Sequence, residues 1–365
     1  MRVYIFKWKF KIVFFFIILF SFILYEYNCN RDKLKVNHVT NYKYFKGKEN
    51  DESKKLKITT SLLKIFSELY DYIRDGYTKP RFSNILKDYS SQIKNNFNIC
   101  ICVIGKNENL YAREFIEYYL SLGVNKIIIY DNNDYEGEKF QSVLDDILQN
   151  KKIEIIDVRG LSSIQIPIYN YCYRKNSLIY DWIAFLDFDE YLYIENNENI
   201  NSFLYHERFN KCQSLFFNWV IYNDNDLLRY DNRRLIERFT HASLNLSQGK
   251  SFVRGKIENF MMPSSHIPGI NVFSFCNSNG ELIYPKNFFE YKFEQKPKAF
   301  IKHFYTKTAE EFCNKINQHA HFHKRHPNYL SNQKSRINFF FKINKKTSEK
   351  LNIIGNCSKA NSKKL

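Results

Sequence analysis

The chain has 365 residues, of which 44% are hydrophobic, enough for one large domain or two small ones with a sizeable core. Its formal net charge is +17, but the lysines are scattered along the whole length and form no motif of basic and aromatic residues. This distribution indicates a solvated basic surface and argues against a nucleic-acid-binding protein.

The first feature in chain order is an apolar run of fourteen residues without a charge, from Ile12 to Tyr25. As a helix it spans about 21 Å, and extension towards the N-terminus, with Lys9 and Lys11 reaching the interface, brings it close to the ~30 Å core of a bilayer. The basic residues before it favour a cytoplasmic N-terminus. Because no small-residue cleavage site follows, we predict that residues 1–28 are a cytoplasmic tail and transmembrane signal anchor; a cleaved signal peptide is the alternative.

This prediction makes the protein a single-pass type II membrane protein whose remaining chain faces the lumen of the Golgi or endoplasmic reticulum. The eight cysteines are compatible with an oxidising lumen and show no zinc-site spacing. Glycosylation triplets at Asn245 and Asn356 are compatible with a glycoprotein. Cys100 and Cys102 alternate onto one face of a predicted strand and are expected in the core.

Beyond the anchor, the sequence divides into three further segments. Residues 29–95 are polar and rich in Lys and Asn, which predicts a stem or linker with one short helix near 62–73. Residues 96–341 carry the periodic patterns of a folded domain. Residues 342–365 are rich in Lys and Ser, and we predict a disordered tail there.

In the folded domain, apolar runs alternate with segments of helical periodicity. The predicted order is strand NICICVIG, helix NLYAREFIEYYLSLG ended by Gly123, strand NKIIIYD, helix EKFQSVLDDILQN, strand KIEIIDV, helix QIPIYNYCYRKNSLIYD and strand WIAFLDFDEYL. After about Tyr193 the pattern loosens into mixed strands and loops. Strands that alternate with helices predict an α/β fold with a doubly wound parallel sheet.

Three of the predicted strands end in polar clusters, which begin at Lys106, at Asp131 and at Asp187. In doubly wound sheets, ligands bind beyond the carboxyl ends of the strands. The three clusters are therefore expected to share one crevice. Asp131 there is suited to accept hydrogen bonds from a ribose hydroxyl or a base; a turn residue in an Asn-rich loop is the alternative.

Asp187 and Asp189 are separated by one residue, at the end of an apolar strand. If the strand breaks into a turn there, both carboxylates can converge on Mn²⁺ or Mg²⁺, which prefer oxygen ligands and bind phosphates. Such an ion would neutralise the charge of a departing diphosphate. The alternative is a pair of loop carboxylates that is solvated or caps a helix.

Several stretches together resemble glycosyltransferase family 92 and its close family 2-like relatives. They are KNENLYAREFIEYYLSLGVNKIIIYDNN, WIAFLDFDEYL, NWVIYND, LIERF, GKIEN and IKHFYTKTAEEFCNKI, and they occur in the family's order over roughly Ile99 to Ile316. The resemblance implies a GT-A fold, a Rossmann-like doubly wound mixed sheet. Tyr191 stands where the family usually has Phe, and the region near SSHIPGINVFS matches poorly, so the resemblance does not identify the acceptor.

The resemblance also implies roles for individual residues. The metal and the diphosphate of a nucleotide sugar would lie on Asp187 and Asp189. His303 would complete the metal shell; a half-buried strand histidine is the alternative. The residues expected to contact the donor nucleotide are Lys106, Asn107, Glu108, Asp131 and Asp187.

The family is taken to invert the anomeric centre, so that an acceptor hydroxyl needs a carboxylate base. The candidates are Glu237, Glu258 and Asp224. Glu237 has the alternative of a structural pair with Arg234 or Arg238. Lys256 and Arg238 are candidates for a phosphate contact.

The sequence thus predicts a Mn²⁺- or Mg²⁺-dependent glycosyltransferase of hexosyltransferase type that acts on a glycan or glycoconjugate. One alternative is a degenerate, non-catalytic, membrane-tethered protein that binds glycan or nucleotide sugar. Another is a haloacid-dehalogenase-like phosphatase, in which the first aspartate of the pair is the nucleophile. In that class the pair follows the first strand of the sheet, whereas here it follows about the fourth.

Overall fold

The computed structural model describes residues 96–269, 272, 274–284, 291, 293–323 and 329–362. The predicted signal anchor, residues 1–28, and stem, residues 29–95, lie outside the described residues. No helix in the described ranges combines the length and the apolar character that crossing a membrane requires.

The described strands, numbered in chain order, are β1 Ile99–Gly105, β2 Lys126–Asp131, β3 Ile153–Asp157, β4 Trp182–Leu186, β5 Glu190–Ile194, β6 Ser214–Tyr222, β7 Ala242–Arg254, β8 Phe275–Cys276, β9 Leu282–Ile283 and β10 Ala299–His303. The α-helices are α1 Asn109–Ser121, α2 Phe140–Leu144, α3 Gln165–Asn176, α4 Ile200–Tyr205, α5 Leu235–Arg238, α6 Ala309–His323, α7 Tyr329–Ile343 and α8 Ser348–Ser362. Short 3₁₀ turns follow at Asp145–Ile147, Glu195–Asn197 and Glu207–Phe209.

The strands form one mixed sheet in the order β3-β2-β1-β4-β7-β6-β10-β5, with β8 and β9 attached to β6. The first four strands in this order are mutually parallel, as the alternating pattern predicts. Strand β7 runs antiparallel to both β4 and β6, and β5 runs antiparallel to β10. The sheet is therefore mixed, as the family resemblance implies.

Both faces of the sheet are buried. On β1, Ile101 and Val103 pack into one hydrophobic cluster with α1, whereas Cys100 and Cys102 pack into a second cluster with α3. Because successive side chains of a strand point to opposite faces, this alternation places helices on both sides of the sheet. The predicted doubly wound α/β arrangement is confirmed.

Helix α1 ends where the sequence predicts. Gly123 has φ +103°, and its N–H donates to Leu120 O while that of Val124 donates to Tyr119 O. This pair of bonds is a Schellman motif, whose left-handed position favours glycine. The turn directs the chain into β2.

The predicted strand WIAFLDFDEYL is broken into two strands. Strand β4 ends at Leu186 and β5 begins at Glu190, four places away in the order of the sheet. Four residues reach at most about 14 Å, whereas four strand spacings in a flat sheet take about 19 Å. The sheet therefore curves strongly between β4 and β5, and Asp187–Asp189 connects these two strands.

Disulfides cross-link the described part of the chain, and Cys313 is one of the disulfide-bonded residues. Cys102 is bonded to Cys172 of α3, and Cys212 to Cys276 of β8. Cys102 lies in the core as predicted, but as a half-cystine, whereas buried Cys100 is a free thiol. Spacing alone could not pair them, because the partners are 70 and 64 residues apart.

The C-terminal segment differs from the disordered tail predicted from residue 342. Helix α7 continues to Ile343 and α8 spans Ser348–Ser362. Lys350 of α8 is 1% exposed and forms a 2.7 Å ion pair with Asp224 Oδ2. The helix is held by tertiary packing and by this buried pair, neither of which a local count of Lys and Ser can reveal.

Candidate functional site

The carboxyl ends of β1, β2 and β4 meet at one edge of the sheet. Gly105 at the end of β1 pairs with Asp131 at the end of β2, and Val103 pairs with Leu186 at the end of β4. The loops that follow these strands are therefore neighbours. This confirms the predicted common edge of the three polar clusters.

The loops after β1 and β2 are tied together. Asn107 N donates to Asn133 Oδ1 at 2.6 Å, and Asn133 Nδ2 donates to Asn109 Oδ1 at 2.8 Å. Lys106 Nζ forms a 2.7 Å ion pair with Asp134. Asn107 has a left-handed φ of 57°, a conformation that Asn tolerates better than most residues.

Asp131 is buried, and its carboxylate accepts hydrogen bonds from two backbone amides. Asn133 N donates to Oδ1 at 3.1 Å and Phe140 N donates to Oδ2 at 3.0 Å. Burial raises the pKa of this carboxyl, and the two amides oppose that shift. Asp131 therefore has the structural role that the alternative predicts, that of a turn residue. Its contact with a nucleoside stays a prediction.

Phe188, the residue between the two aspartates, anchors the Asp187–Asp189 turn in the core. It is 1% exposed and its ring packs 5.0 Å from those of Phe115 and Phe140. Gly105 makes room for it, since a Cβ there would meet Phe140 at 2.7 Å and would also meet Phe188. The anchored ring leaves one carboxylate on either side.

Asp187 faces α3 and β7. Gln165 Nε2 donates to Oδ1 at 3.0 Å, Tyr169 Oη lies 3.3 Å from the same oxygen, and Lys250 Nζ donates to Oδ2 at 2.9 Å. The side chain of Asp187 is 36% exposed, so one side of it is open to solvent.

Lys250 is fully enclosed between Asp187 and Glu190. Its side chain is 0% exposed, as is that of Glu190, whose Oε2 lies 3.5 Å from Nζ. Burial lowers the pKa of Lys250, but the two carboxylates outweigh it and raise the pKa above its ordinary value. Burial raises the pKa of Glu190, and the adjacent Lys250 opposes that rise.

Asp189 has a different set of partners. Lys315 Nζ donates to Oδ2 at 2.8 Å, Lys307 Nζ lies 3.7 Å from the same atom, and His303 Nε2 lies 3.5 Å from Oδ1. The aspartate is 4% exposed, and burial raises its pKa, but these lysines and the histidine outweigh burial and hold it well below the ordinary value. Asp189 is therefore an anion.

Lys307 connects Asp189 to the loop after β1. Its Nζ lies 3.4 Å from Glu108 Oε2 and 4.2 Å from the centre of the Tyr111 ring. Lys315 lies over Tyr305 at 4.9 Å. We call Asp189, Glu108, Lys307 and Lys315 the lysine cluster.

The start of α6, which carries Lys315, is fixed by a buried carboxylate. Glu311 N donates to Thr308 Oγ1 and Thr308 N donates to Glu311 Oε2, both at 3.2 Å, which is a capping box. Glu311 also accepts two hydrogen bonds from Arg238, at 2.8 and 3.0 Å, and one from Tyr111 Oη at 2.7 Å. Arg238 is thus committed to Glu311, which corrects its sequence-based prediction as a phosphate contact.

His303 lies at the end of β10, paired in register with Glu190 of β5. It is 5% exposed, its ring packs 4.4 Å from that of Trp219, and burial lowers its pKa despite the adjacent Asp189. The resemblance placed this histidine next to Asp189, and the structure does so as well.

Asp224 and Glu237, two of the three candidate bases, have partners outside the lysine cluster. Asp224 is 1% exposed and paired with Lys350 of α8. Glu237 is exposed on α5, where its carboxylate accepts a hydrogen bond from Arg234 N at 3.2 Å, which matches the structural alternative for that residue. Glu258 follows the end of β7.

That end of β7 lies at the opposite edge of the sheet. Arg254 pairs with Trp182 at the start of β4, whereas Asp187 follows the end of β4. Lys256 N bonds to Ser177 O at this far edge. Lys256 and Glu258 lie two and four residues beyond Arg254, at the edge opposite Asp187. The phosphate contact predicted for Lys256 and the catalytic role predicted for Glu258 therefore stay predictions that the geometry does not support.

A divalent cation on Asp189 would lie beside the ammonium groups of Lys307 and Lys315. At 4 Å and an effective dielectric constant of 20, a doubly charged ion and one ammonium repel each other by about 8 kcal/mol. Within the described ranges, no three His, Cys, Asp or Glu side chains form a group that could hold a metal ion. The residues present in this arrangement therefore do not fit the Mn²⁺ or Mg²⁺ predicted at Asp187, Asp189 and His303.

Sequence reasoning missed the residues that meet these aspartates. Lys307 and Lys315 lie inside the stretch IKHFYTKTAEEFCNKI. In this stretch the capping box Thr308-x-x-Glu311 marks a helix start that lies between the two lysines. No comparable sequence motif marks Lys250, because its contacts with Asp187 and Glu190 depend on how distant strands pair in the sheet.

Comparison with known proteins gives three findings. The sequence model of glycosyltransferase family 92 matches residues 95–328. Glycosyltransferase family 92 proteins of Oryza sativa subsp. japonica and Ricinus communis are 25% and 24% identical over 107 and 102 residues, which cover 29% and 28% of this chain. The matched part is only 18% of each relative. The crystal structure of S. aureus TarS 1–349 is similar with a TM-score of 0.34 and 10% identity, covering 60% of this chain and 64% of that one.

Proposed function

Because the chain belongs to glycosyltransferase family 92, we propose that it is a glycosyltransferase that moves a sugar from a nucleotide sugar to a hydroxyl of a glycan or glycoconjugate. The family predicted from the motifs between Ile99 and Ile316 is confirmed by the match over residues 95–328. A GT-A type fold is supported by the mixed sheet with helices on both faces.

One observation carries the proposal. The loops after β1, β2 and β4 bring Lys106, Asp131, Asp187 and the lysine cluster to a single edge of the sheet. In open α/β sheets this edge is where nucleotides bind. Ammonium groups and backbone amides at this edge suit an anionic donor.

The reaction we propose is a single displacement with inversion. The acceptor oxygen forms a bond to the anomeric carbon, while the bond from that carbon to the phosphate oxygen breaks. The bonding pair leaves with the diphosphate, and the acceptor proton passes to a base. Binding energy that fixes the diphosphate and the sugar places the reacting atoms in line.

We also propose that the domain faces the lumen of the secretory pathway, behind a type II anchor. The apolar run Ile12 to Tyr25 supports the anchor. The disulfides Cys102–Cys172 and Cys212–Cys276 support an oxidising compartment.

The test is an activity assay on the full-length chain, expressed in a eukaryotic host and purified in detergent. The protein is incubated with a panel of sugar nucleotides, with MnCl₂ or with EDTA, and release of the nucleoside diphosphate is measured without and with glycan acceptors. Turnover of one donor, stimulated by an acceptor, supports the proposal. Absence of both turnover and donor binding across the panel contradicts it.

Two other results would identify the alternative functions. Donor binding without transfer to any acceptor would favour a non-catalytic binding protein. Hydrolysis of a generic phosphate ester that is lost in Asp187→Asn would favour a phosphatase.

A further inference from the structure

We propose that the ammonium groups of Lys307 and Lys315 neutralise the diphosphate of the donor directly, in place of a divalent cation. The inference rests on the proposed function, since it assigns part of the same site. It differs from the metal-dependent mechanism that the Asp-x-Asp pattern predicts.

The first support is the distribution of charge around Asp189. Two ammonium groups, at 2.8 and 3.7 Å, approach one oxygen of a buried carboxylate. The second carboxyl of the cluster, Glu108, has a pKa that burial raises, although both lysines oppose that rise. Two ammonium groups thus lie close to each other beside a single carboxylate oxygen, an arrangement that suits a multiply charged anion such as a diphosphate.

The second support is accessibility. The side chain of Lys315 is 26% exposed, so its ammonium group can meet a ligand that enters from solvent, with Lys307 directly behind it at 4%. Lys250, the third lysine near the aspartates, is fully enclosed by Asp187 and Glu190. Lys250 is thus a structural cation, and the diphosphate is left to the other two.

The third support is that the fold holds these lysines in place despite an unfavourable backbone conformation at Lys307. Lys307 adopts a left-handed φ of 51°, which is unfavourable for a residue with a Cβ and is typical of functional sites. Rings of Tyr111 and Tyr305 lie against the two ammonium groups, and the Glu311–Arg238 pair fixes the helix start between them. Fixed cations stabilise developing charge without reorganising during the reaction.

In the reaction, negative charge accumulates on the phosphate oxygen that receives the bonding pair as the bond to the anomeric carbon breaks. Lys315 donates a hydrogen bond to the diphosphate, and Lys307 lowers the energy of the accumulating charge. Asp189 keeps both amines protonated and oriented. Neither lysine gives up its proton, so the products are the glycosylated acceptor, the nucleoside diphosphate and the proton lost by the acceptor.

The test uses UDP and GDP as probes and the full-length chain in detergent, with dissociation constants measured by calorimetry in EDTA and in MnCl₂. We expect one of the two nucleotides to bind in EDTA, and Mn²⁺ to change its affinity less than about twofold. Lys315→Gln removes one charge-assisted hydrogen bond and should weaken binding in EDTA by about tenfold or more. Lys315→Arg keeps the charge and should restore most of the affinity.

Two further variants separate this role from a loss of folding. Lys302→Gln is the matched control, since Lys302 lies on β10 beside the rings of Tyr193 and Tyr222. It should bind the nucleotide as the wild type does. Asp189→Asn removes the charge that competes with the diphosphate for the two ammonium groups and should bind the nucleotide more tightly in EDTA. If Asp189 were a metal ligand, the same variant would bind more weakly.

The outcomes are distinct. Binding that requires Mn²⁺ and is lost in Asp189→Asn overturns the lysine proposal and leaves the proposed function intact. Unchanged binding in a folded Lys315→Gln variant overturns it as well. If neither nucleotide binds in either buffer and no sugar nucleotide turns over, the proposed function itself fails, and the lysine proposal fails with it.

Discussion

Replacement of Arg238 by Met should destabilise the protein more than most single substitutions, because it leaves a buried carboxylate without its cation. The side chains of Arg238 and Glu311 are 1% and 4% exposed, and two hydrogen bonds of 2.8 and 3.0 Å join them. Met fills a similar volume but offers no charge. Removal of one partner of such a buried pair costs about 3–5 kcal/mol.

The remaining partners of Glu311 set where in this range the loss should lie. Tyr111 Oη and Thr308 N still donate to its carboxylate. These two bonds compensate part of the missing charge, so we expect a loss of about 3 kcal/mol, the lower end of the range. The double variant Arg238→Met with Glu311→Gln should recover part of it, since no buried charge then remains.

The measurement is the free energy of unfolding from urea titrations of the wild type, both single variants and the double variant, analysed as a cycle. Arg233→Met is the matched control. Arg233 pairs with Asp231 at 2.6 Å, but their side chains are 56% and 36% exposed, so its replacement should change stability little. Equal losses for Arg233→Met and Arg238→Met, or no loss for either, would refute the role given to burial here.

Three further predictions concern the free energy of unfolding. Gly105→Ala should lower it by about 1–3 kcal/mol, because the new Cβ overlaps two phenylalanine rings. Gly355→Ala in helix α8 should raise it by about 1 kcal/mol, because the new Cβ meets nothing within 4 Å, and urea titration measures both changes. Reduction of the Cys212–Cys276 disulfide, which closes a loop of 64 residues, should cost about 4 kcal/mol, and the double Ser variant should reproduce the loss without reductant. His266 has its pKa lowered to about 4 by burial and by nearby Lys250, against an unfolded value of 6.5, so stability should fall by up to about 3 kcal/mol as pH drops from 6.5 to 4. Replacement of His266 by Gln should flatten that part of the stability–pH curve, and a curve of unchanged slope would contradict the assignment.

The sequence was sufficient to predict the parallel half of the sheet. Apolar runs such as ICICVIG and KIIIYD are buried on both faces, and Gly123 ends the helix between them through its left-handed φ. These signals are local, so one sequence carries them. The common edge follows from strand direction alone, so the ends of β1, β2 and β4, near Glu108, Asp131 and Asp187, lie at one edge of the sheet as predicted.

The partners of the acidic residues could not be predicted in the same way. Asp189 meets a lysine 126 residues further along the chain, and Asp224 meets Lys350 at the same separation. Each pairing depends on how the antiparallel strands and the C-terminal helices pack against the parallel half. The Asp-x-Asp pattern therefore indicated where charge is concentrated, but it did not identify the cation.

The buried ring of Phe188 explains why the two aspartates of the Asp-x-Asp pattern have different lysine partners. If both carboxylates faced the same space, their mutual repulsion would favour a divalent cation between them. Here the ring lies in the core, so Asp187 is directed to Lys250 and Asp189 to Lys307 and Lys315. Each carboxylate already has a cation from the chain itself. An added ion must displace a lysine before it can bind, whereas a donor diphosphate is attracted by the same amines.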